Sequence, residues 1–295
     1  MRYYNTKDWV SVLIKVTKSD VLRRLWWILL VIAIYAVGIA YLELEYWQLS
    51  EKSVLKNLPV LHSLLGFAIS LILVFRTNTA YDRWWEGRKL WGALVNNSRN
   101  LALKLSVVLG EDQKEERSFF RKIIPTYAQV LHQHLLKERT RLMLFDEDHH
   151  TKRVLSALDT EKHMPNQIAG LIYEHVKKLY REQKISGEVL LFLNNELQSF
   201  TDICGACERI KNTPIPSSYG VFIKRFILIY LLTLPWGYVF QLGYWVVPVV
   251  VIITYVLTSL ELIAEEIEDP FGGDENDLPT QKMAENIRKS IEEIL

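Results

Sequence analysis

Two groups of side chains have residue types and spacings that could support redox chemistry or metal binding. The first is Cys204-Gly-Ala-Cys207, a spacing found in thiol–disulfide oxidoreductases and in zinc sites. These are the only cysteines of the chain, so one chain cannot form a four-cysteine zinc site. Their predicted context is a helix without the strand of a thioredoxin motif. We therefore predict that Cys204 and Cys207 are small packing residues.

The second group consists of histidines. His132-Gln-His134 and His149-His150 could each take an adventitious divalent metal ion. Two imidazoles on a polar, acidic stretch are more often exposed polar residues, and that is the prediction for both pairs. No phosphate-binding loop, nucleophile elbow or pair of catalytic carboxylates can be argued from the spacing, so we expect a protein that is not an enzyme.

The elements that must position these groups are helices, and some of them are apolar over the thickness of a bilayer. No Asp, Glu, Lys or Arg occurs in 25–42, 57–75 or 226–260. A helix needs about 20 apolar residues to cross the hydrocarbon core, so the third run is long enough for two helices. The sequence predicts an all-α integral membrane protein. Its four transmembrane helices are placed at about 25–44, 57–75, 219–239 and 244–261.

Local charge predicts how these helices are oriented. The net charge of +1 gives no basic field that would suggest nucleic acid as a partner. Basic residues precede the first crossing, which predicts a cytoplasmic N-terminus, and four crossings return the C-terminus to that side. Those residues are Arg2, Lys7, Lys15, Lys18, Arg23 and Arg24. The polar stretch 76–218 is then a cytoplasmic helical part and 262–295 an acidic tail, within one fold over 1–295.

The second crossing has the composition of a pore-lining helix. Phe67, Leu71 and Phe75 are spaced i, i+4 and i+8 and share one helix face. In a symmetric oligomer that face would form stacked hydrophobic rings, whereas in a single helix it would meet lipid or another helix. No crossing has an interior charged residue, which favours passive conduction over coupled transport. His62, near the outer end, is predicted to be in contact with water.

Three segments in this order resemble the bestrophin family of channels, in particular its bacterial branch. The first is 75–88, which includes Arg83-Trp84-Trp85 directly after the second crossing. The second is 204–216, from the cysteine pair to the prolines before the third crossing. The third is 265–279, where Asp-Pro-Phe-Gly resembles the family's Asn-Pro-Phe-Gly followed by acidic residues.

The resemblance implies a homopentamer around a single central pore. Aligning Arg83 with the family arginine places the family's narrow neck at Phe67, Leu71 and Phe75. A second aperture, in the cytoplasmic part, falls on either Ile185 or Glu188. A ring of Glu188 would favour cations, whereas a ring of Ile185 would be neutral.

The resemblance also implies a possible calcium site. Glu266, Asp269, Asp274 and Asp277 match positions that form a calcium clasp in the family, and carboxylate oxygens suit Ca²⁺. Asp269 stands where animal members have Asn, and Glu266 where they have Gln. The alternative interpretation is a solvated acidic exit from the last crossing.

The predicted function is therefore a pentameric channel for monovalent ions in the bacterial inner membrane, with lipid and ions as its partners. Animal relatives conduct chloride, but the choice between anion and cation stays open for this chain. The alternatives are a secondary transporter, a membrane-anchored redox or metal protein that uses Cys204 and Cys207, and a membrane scaffold without ion flux.

Overall fold

The computed structural model describes residues 21–48, 57–136, 159 and 162–295, and within these ranges the chain is helical and contains no β-strand. His149 and His150 lie outside the described residues. The helices are α1 Val21–Tyr41, which continues as a π-helical turn Leu42–Tyr46, α2 Leu58–Val108, α3 Lys114–Leu136, α4 Met164–Arg181, α5 Gly187–Asn212, α6 Ser217–Leu242, α7 Val246–Glu268 and α8 Thr280–Ile294.

The described chain forms two compact units. The first, here called the apolar unit, contains described residues up to Arg83 together with Pro214–Glu268. The second, here called the amphipathic unit, contains Trp84–Thr213 and Asp269–Leu295, apart from the stretch between α3 and α4 that is not described. Helix α2 belongs to both, because it continues without a break from the apolar run into the polar part.

Small residues let the helices of the apolar unit approach one another closely. Ala36 and Ala40 of α1 are fully buried in a cluster with Leu234 of α6 and Val250 of α7. The absence of a long side chain at these alanines permits the contact between helix backbones that membrane helices use. A second cluster joins Ile69 and Leu73 of α2 to α6 through Ile223, Ile227 and Leu231.

Three segments of the described chain are long and apolar enough to cross a membrane: Val21–Tyr46, Leu58–Val108 and Ser217–Glu268. The last contains both α6 and α7, separated by the 3-10 turn Gly243–Trp245. Gly243 has a φ of +53°, a conformation that residues with a Cβ rarely adopt, so glycine is required where the chain changes direction. The charge-free run 226–260 is therefore divided between two helices.

The amphipathic unit has a core of large side chains between α3, α4, α5, α8 and the second part of α2. Trp91, Phe120, Tyr127 and Phe200 are all buried there, and the Tyr127 hydroxyl donates to the carbonyl of Phe200 at 2.6 Å. The stretch predicted as an acidic tail includes α8, whose Ala284, Ile287 and Ile291 are buried in the same core.

The cysteines lie in this core. Cys204 and Cys207 are free thiols with 1% and 0% exposure, which confirms their assignment as packing residues. Burial, followed by the nearby charge of Glu208, raises the pKa of the Cys204 thiol to about 12. Because the thiolate is the reactive form, both the burial and the high pKa disfavour redox chemistry at this pair.

The prediction for His62 is wrong. Its side chain is 1% exposed, its Nδ1 lies 2.9 Å from the carbonyl oxygen of Leu58, and its Nε2 lies 3.0 Å from the hydroxyl of Thr233. The ring also packs edge-on against Tyr230. His62 therefore joins the first turn of α2 to α6 and does not face water.

Gly237 tests the close packing of α6 against the start of α2. A Cβ at this position would lie 2.8 Å from Leu58 Cβ and 3.0 Å from Pro59 Cδ, closer than real contacts allow. We expect Gly237→Ala to destabilise the protein by about 1–3 kcal/mol, because the helices must separate. The thermal melt of the detergent-solubilised protein measures this.

Gly220→Ala is the matched control on the same helix, since a Cβ there meets nothing within 4 Å. Alanine has the higher helix propensity, so this variant should melt at the wild-type temperature or slightly above it. Equal melting temperatures for the two variants would contradict the close approach at Gly237.

Candidate functional site

The predicted neck residues lie on an uncovered face of α2. Phe67, Leu71 and Phe75 are 70%, 40% and 61% exposed in the single chain. On the other side of the same turns, Ile69 and Leu73 are each 2% exposed, packed against α6. The structure thus brings the three residues onto one apolar surface, while the opposite face of the helix is fully packed.

Two serines on this part of α2 do not make the exposed face polar. The Ser63 hydroxyl donates to the carbonyl of Pro59 at 2.9 Å, and the Ser70 hydroxyl donates to the carbonyl of Gly66 at 2.8 Å. Such bonds to the carbonyl four residues earlier satisfy the hydroxyl within its own helix. The surface that carries the three predicted neck residues is therefore predominantly apolar.

A buried ion-pair network begins at the residue that follows Phe75. The guanidinium of Arg76 is 4% exposed, and its Nη2 lies 2.7 Å from Oε2 of Glu268. Its Nε lies 3.6 Å from Glu261, whose side chain is 6% exposed. Arg83, two turns further along α2, donates from Nε to the backbone carbonyl of Glu268 at 3.0 Å. The end of the apolar run of α2 is thereby held to the last two turns of α7.

The same network extends to α6. Glu268 Oε1 accepts a hydrogen bond from the backbone N–H of Ile215 at 2.8 Å, just before α6 begins. Lys224 on α6 pairs with Glu265 at 2.8 Å. A cavity of about 230 Å³ is lined by all five charged side chains of this group. They are Arg76, Lys224, Glu261, Glu265 and Glu268.

Sequence reasoning missed this network. Its partners are about 185 positions apart in the chain, so no local pattern joins them. Two signals were nevertheless present: Arg76 directly follows an apolar run, and Glu261 and Glu268 are spaced i, i+7 on one face of α7. A charged side chain at the end of a membrane helix is usually paired with one of opposite charge, and the two glutamates share one face of α7 from which they can pair with Arg76.

The two candidates for the cytoplasmic aperture differ in exposure. Ile185 is 6% exposed and belongs to the core cluster of the amphipathic unit. Glu188 is exposed in the first turn of α5. Ser186 is the N-cap residue but makes no side-chain cap; its hydroxyl donates to the Glu188 carboxylate at 2.7 Å. This bond, together with one to its own backbone N–H, lowers the pKa of Glu188, which is therefore ionised at neutral pH.

Three of the four carboxylates matched to the calcium clasp have described partners in the protein. Glu266, in the apolar unit, accepts from Arg24 at 2.5 Å. In the amphipathic unit, Lys211 Nζ lies 2.5 Å from Asp269. Asp277 is buried and accepts from the backbone N–H of Asp274 at 2.6 Å. Because basic side chains already lie beside Glu266 and Asp269, these two residues fit a calcium ion poorly.

Comparison with known proteins places these features in a family. The profile of the bacterial and fungal bestrophin proteins matches residues 1–293. This chain belongs to the bestrophin family. A voltage-dependent anion channel-forming protein of Nostoc is 34% identical to this bestrophin over 240 residues, which cover 80% of this chain and 78% of the relative. A protein of Escherichia coli K12 with the same description is 34% identical over 227 residues, covering 76% and 73%.

Solved structures agree with this assignment. A variant of a bacterial bestrophin homologue from Klebsiella pneumoniae superposes with a TM-score of 0.80 at 27% identity, covering 92% of this chain and 98% of that one. A second variant of the Klebsiella protein gives a TM-score of 0.78 with 90% and 97% coverage. The all-helical bestrophin fold is therefore shown for this chain.

The three bestrophin segments are joined by polar contacts within each unit. In the apolar unit, the bond from Arg83 to the Glu268 carbonyl joins the first segment to the third. In the amphipathic unit, Trp84 Nε1 donates to the carbonyl of Asn276 at 3.1 Å, which joins the same two segments. The second segment is linked to the third by Lys211 and to the first by Arg209, which pairs with Glu86 at 2.5 Å. The motifs that identify the family thus hold the helices together.

Arg76 provides a test of the network at the end of the neck helix. We expect Arg76→Gln to destabilise the protein by about 3–5 kcal/mol, because the largely buried carboxyl groups of Glu261 and Glu268 would lose the cation that lies between them. The thermal melt in detergent measures the loss.

Lys224→Gln is the control for Arg76→Gln. Lys224 and its partner Glu265 are 50% and 52% exposed, so loss of this pair should change stability by no more than about 1 kcal/mol. An Arg76→Gln protein as stable as the Lys224→Gln protein would show that the buried network does not stabilise the apolar unit.

Proposed function

We propose that this bestrophin forms a homopentameric channel for monovalent ions in the bacterial inner membrane, with both termini in the cytoplasm. Family membership over nearly the whole chain and the description of its relatives as anion channel-forming proteins support ion conduction. The observation that carries the proposal is the apolar face of Phe67, Leu71 and Phe75, which is uncovered in a single chain.

A symmetric oligomer gives that face a function. Five copies of α2 around one axis would bring Phe67, Leu71 and Phe75 together as three stacked rings, each about one helical turn from the next. Hydrophobic rings of this kind can gate a pore by excluding water. Packing of the opposite face through Ile69 and Leu73 against α6 would hold the ring-forming side chains toward the axis.

The proposed topology uses four crossings: α1, the first part of α2, α6 and α7. Aromatic residues support the placement, because amphipathic rings concentrate where the membrane meets water. Trp26 and Trp27 are 62% and 55% exposed at the start of α1, which we assign to the cytoplasmic side. Trp245 is 76% exposed at the turn between α6 and α7, which we assign to the opposite side. These side chains would contact lipid head groups.

Anion conduction is the first candidate for selectivity. It follows from the names of relatives that are 34% identical to this chain, which describe voltage-dependent anion channel-forming proteins. An apolar neck is compatible with this, since the positive edges of phenylalanine rings attract anions weakly.

Cation conduction is the second candidate, and Glu188 is the observation that favours it. Of the two aperture residues, Ile185 is buried in the core of its own unit, whereas Glu188 is exposed and ionised. A ring of five such carboxylates would raise the local concentration of cations and repel chloride.

Phe75→Ala tests the neck. Purified protein in a planar bilayer, under a gradient of potassium chloride, should show a larger conductance for the variant than for wild type, because truncating the ring widens the constriction and lets water enter. Phe222→Ala on α6 is the control, since Phe222 is also exposed, at 55%, but lies outside the proposed neck. If Phe75→Ala left the conductance unchanged, the assignment of Phe75 to the neck would be wrong.

The reversal potential of wild type in the same recordings decides whether the channel conducts anions or cations. It should shift toward the chloride potential for an anion channel and toward the potassium potential for a cation channel. Absence of current in wild type would contradict the channel. Flux that saturates with a particular substrate would then indicate a secondary transporter, and no flux at all would indicate a scaffold.

Glu188→Gln tests the second aperture. If Glu188 lines the pore, removing its charge should move the reversal potential toward the chloride potential by a measurable number of millivolts, because one negative ring is lost. Glu174→Gln, at another exposed carboxylate of the amphipathic unit, should leave the potential unchanged. Identical reversal potentials for wild type and Glu188→Gln would exclude Glu188 from the selectivity of the pore.

A further inference from the structure

Three helices of the amphipathic unit bring together two imidazoles and one carboxylate, none of which is assigned to the pore. His134 is in the last turn of α3, His163 is the N-cap residue of α4, and Glu208 is in the second half of α5. The Nε2 atoms of both histidines lie 2.6 Å from the same oxygen, Glu208 Oε1. The two rings have their centroids 4.6 Å apart.

We propose that His134, His163 and Glu208 form a binding site for a divalent transition-metal ion of the zinc type. Two imidazoles and a carboxylate are a recurrent ligand set for Zn²⁺, with the fourth position open to water. Their potential ligand atoms lie within 4.8 Å of one another. The side chains are 31%, 33% and 27% exposed, so an ion can reach the group from solvent.

The geometry is close to what an ion requires. Zinc binds imidazole nitrogen at about 2.0–2.1 Å and carboxylate oxygen at about 2.0–2.2 Å, so tetrahedral ligand atoms stand about 3.3 Å apart. Each of the two nitrogens is 2.6 Å from the oxygen, a hydrogen-bonding distance. A metal ion would replace these two hydrogen bonds, and each nitrogen would need to move about 0.7 Å further from the oxygen.

The charge of Glu208 also favours a cation. Burial opposes ionisation of Glu208, but the hydrogen bonds from His163 and His134 outweigh it and lower the pKa of the carboxyl. Metal binding at this group requires an ionised carboxylate and neutral imidazoles.

One existing contact competes with the metal. His163 Nδ1 accepts a hydrogen bond from the backbone N–H of Asn166 at 3.2 Å, which caps the start of α4. In a neutral ring this leaves the proton on Nε2, where it is donated to Glu208. Metal binding at Nε2 would move that proton to Nδ1 and end the cap, so the helix start must be solvated instead.

A metal here would hold together three helices that are distant in sequence. His134 and His163 flank the stretch between α3 and α4, and Glu208 lies one turn beyond Cys204 on α5. The ion would therefore stabilise the amphipathic unit against unfolding. This inference concerns a site separate from the proposed neck and does not depend on the channel proposal.

The experiment uses full-length, tag-free protein in detergent, stripped with a chelator and then titrated with Zn²⁺. We expect one zinc ion per chain by calorimetry and a rise in melting temperature on addition of Zn²⁺. His134→Ala and Glu208→Gln should each weaken binding by about tenfold or more, because each removes a ligand. His132→Gln is the matched control, since His132 Nδ1 lies 2.7 Å from the Thr280 hydroxyl, not from Glu208.

Cobalt substitution gives a readout that does not depend on the stability of any variant. Co²⁺ in wild type should give the visible absorption of a tetrahedral site, and Zn²⁺ should abolish it. Wild type that binds no Zn²⁺ or gives no Co²⁺ spectrum would overturn the proposal. A Glu208→Gln protein that binds Zn²⁺ as tightly as wild type would also overturn the proposal. If His132→Gln weakened Zn²⁺ binding as much as His134→Ala does, the binding would be adventitious and the proposal would again be overturned.

Discussion

The apolar unit depends on the burial of one cation. Arg76 directly follows the apolar run of α2, and its guanidinium is nearly inaccessible to water between Glu261 and Glu268. A buried charge is tolerated only when it is paired, so these two carboxylates determine where the last turns of α7 must lie against α2. Glu268 also accepts from Ile215 N–H, which fixes the entry into α6. The orientation of the apolar face of α2 thus follows from the ion pairs that Arg76 makes directly after this face along the helix.

In this arrangement one face of α2 is packed against the protein and the opposite face is exposed. In the apolar part of α2, Ile69 and Leu73 are buried against α6, while Phe67, Leu71 and Phe75 remain uncovered. A soluble protein could not leave such a surface in water without aggregating. In the proposed pentamer, other copies of the chain would cover this surface. Because α2 is packed on its opposite side and its rotation about its own axis is fixed by Arg76, its apolar face is suited to form a rigid pore lining.

The sequence predicted the features that depend on local pattern. The apolar runs located the candidate spans, and the isolated cysteine pair predicted packing residues. Contacts between distant residues could not be predicted in the same way. His62 was placed in water because its partner Thr233 is 171 positions away. His132 and His134 were predicted to be exposed, but both are half-buried, because His132 contacts Thr280 and His134 contacts Glu208, 148 and 74 positions further along.

The acidic residues of this bestrophin differ in whether their carboxylates lie beside a basic side chain. Glu261 and Glu268 face Arg76, Glu266 faces Arg24, and Asp269 faces Lys211, so each of these carboxylates lies beside a basic side chain of the protein. Such carboxylates organise helices and attract free ions weakly. Glu188 differs, because its described side-chain partner is the neutral hydroxyl of Ser186. An exposed carboxylate whose charge is not neutralised by a side chain is the kind that acts on passing ions. By this reasoning, ion sign depends more on whether Glu188 faces the pore than on the number of acidic residues in the chain.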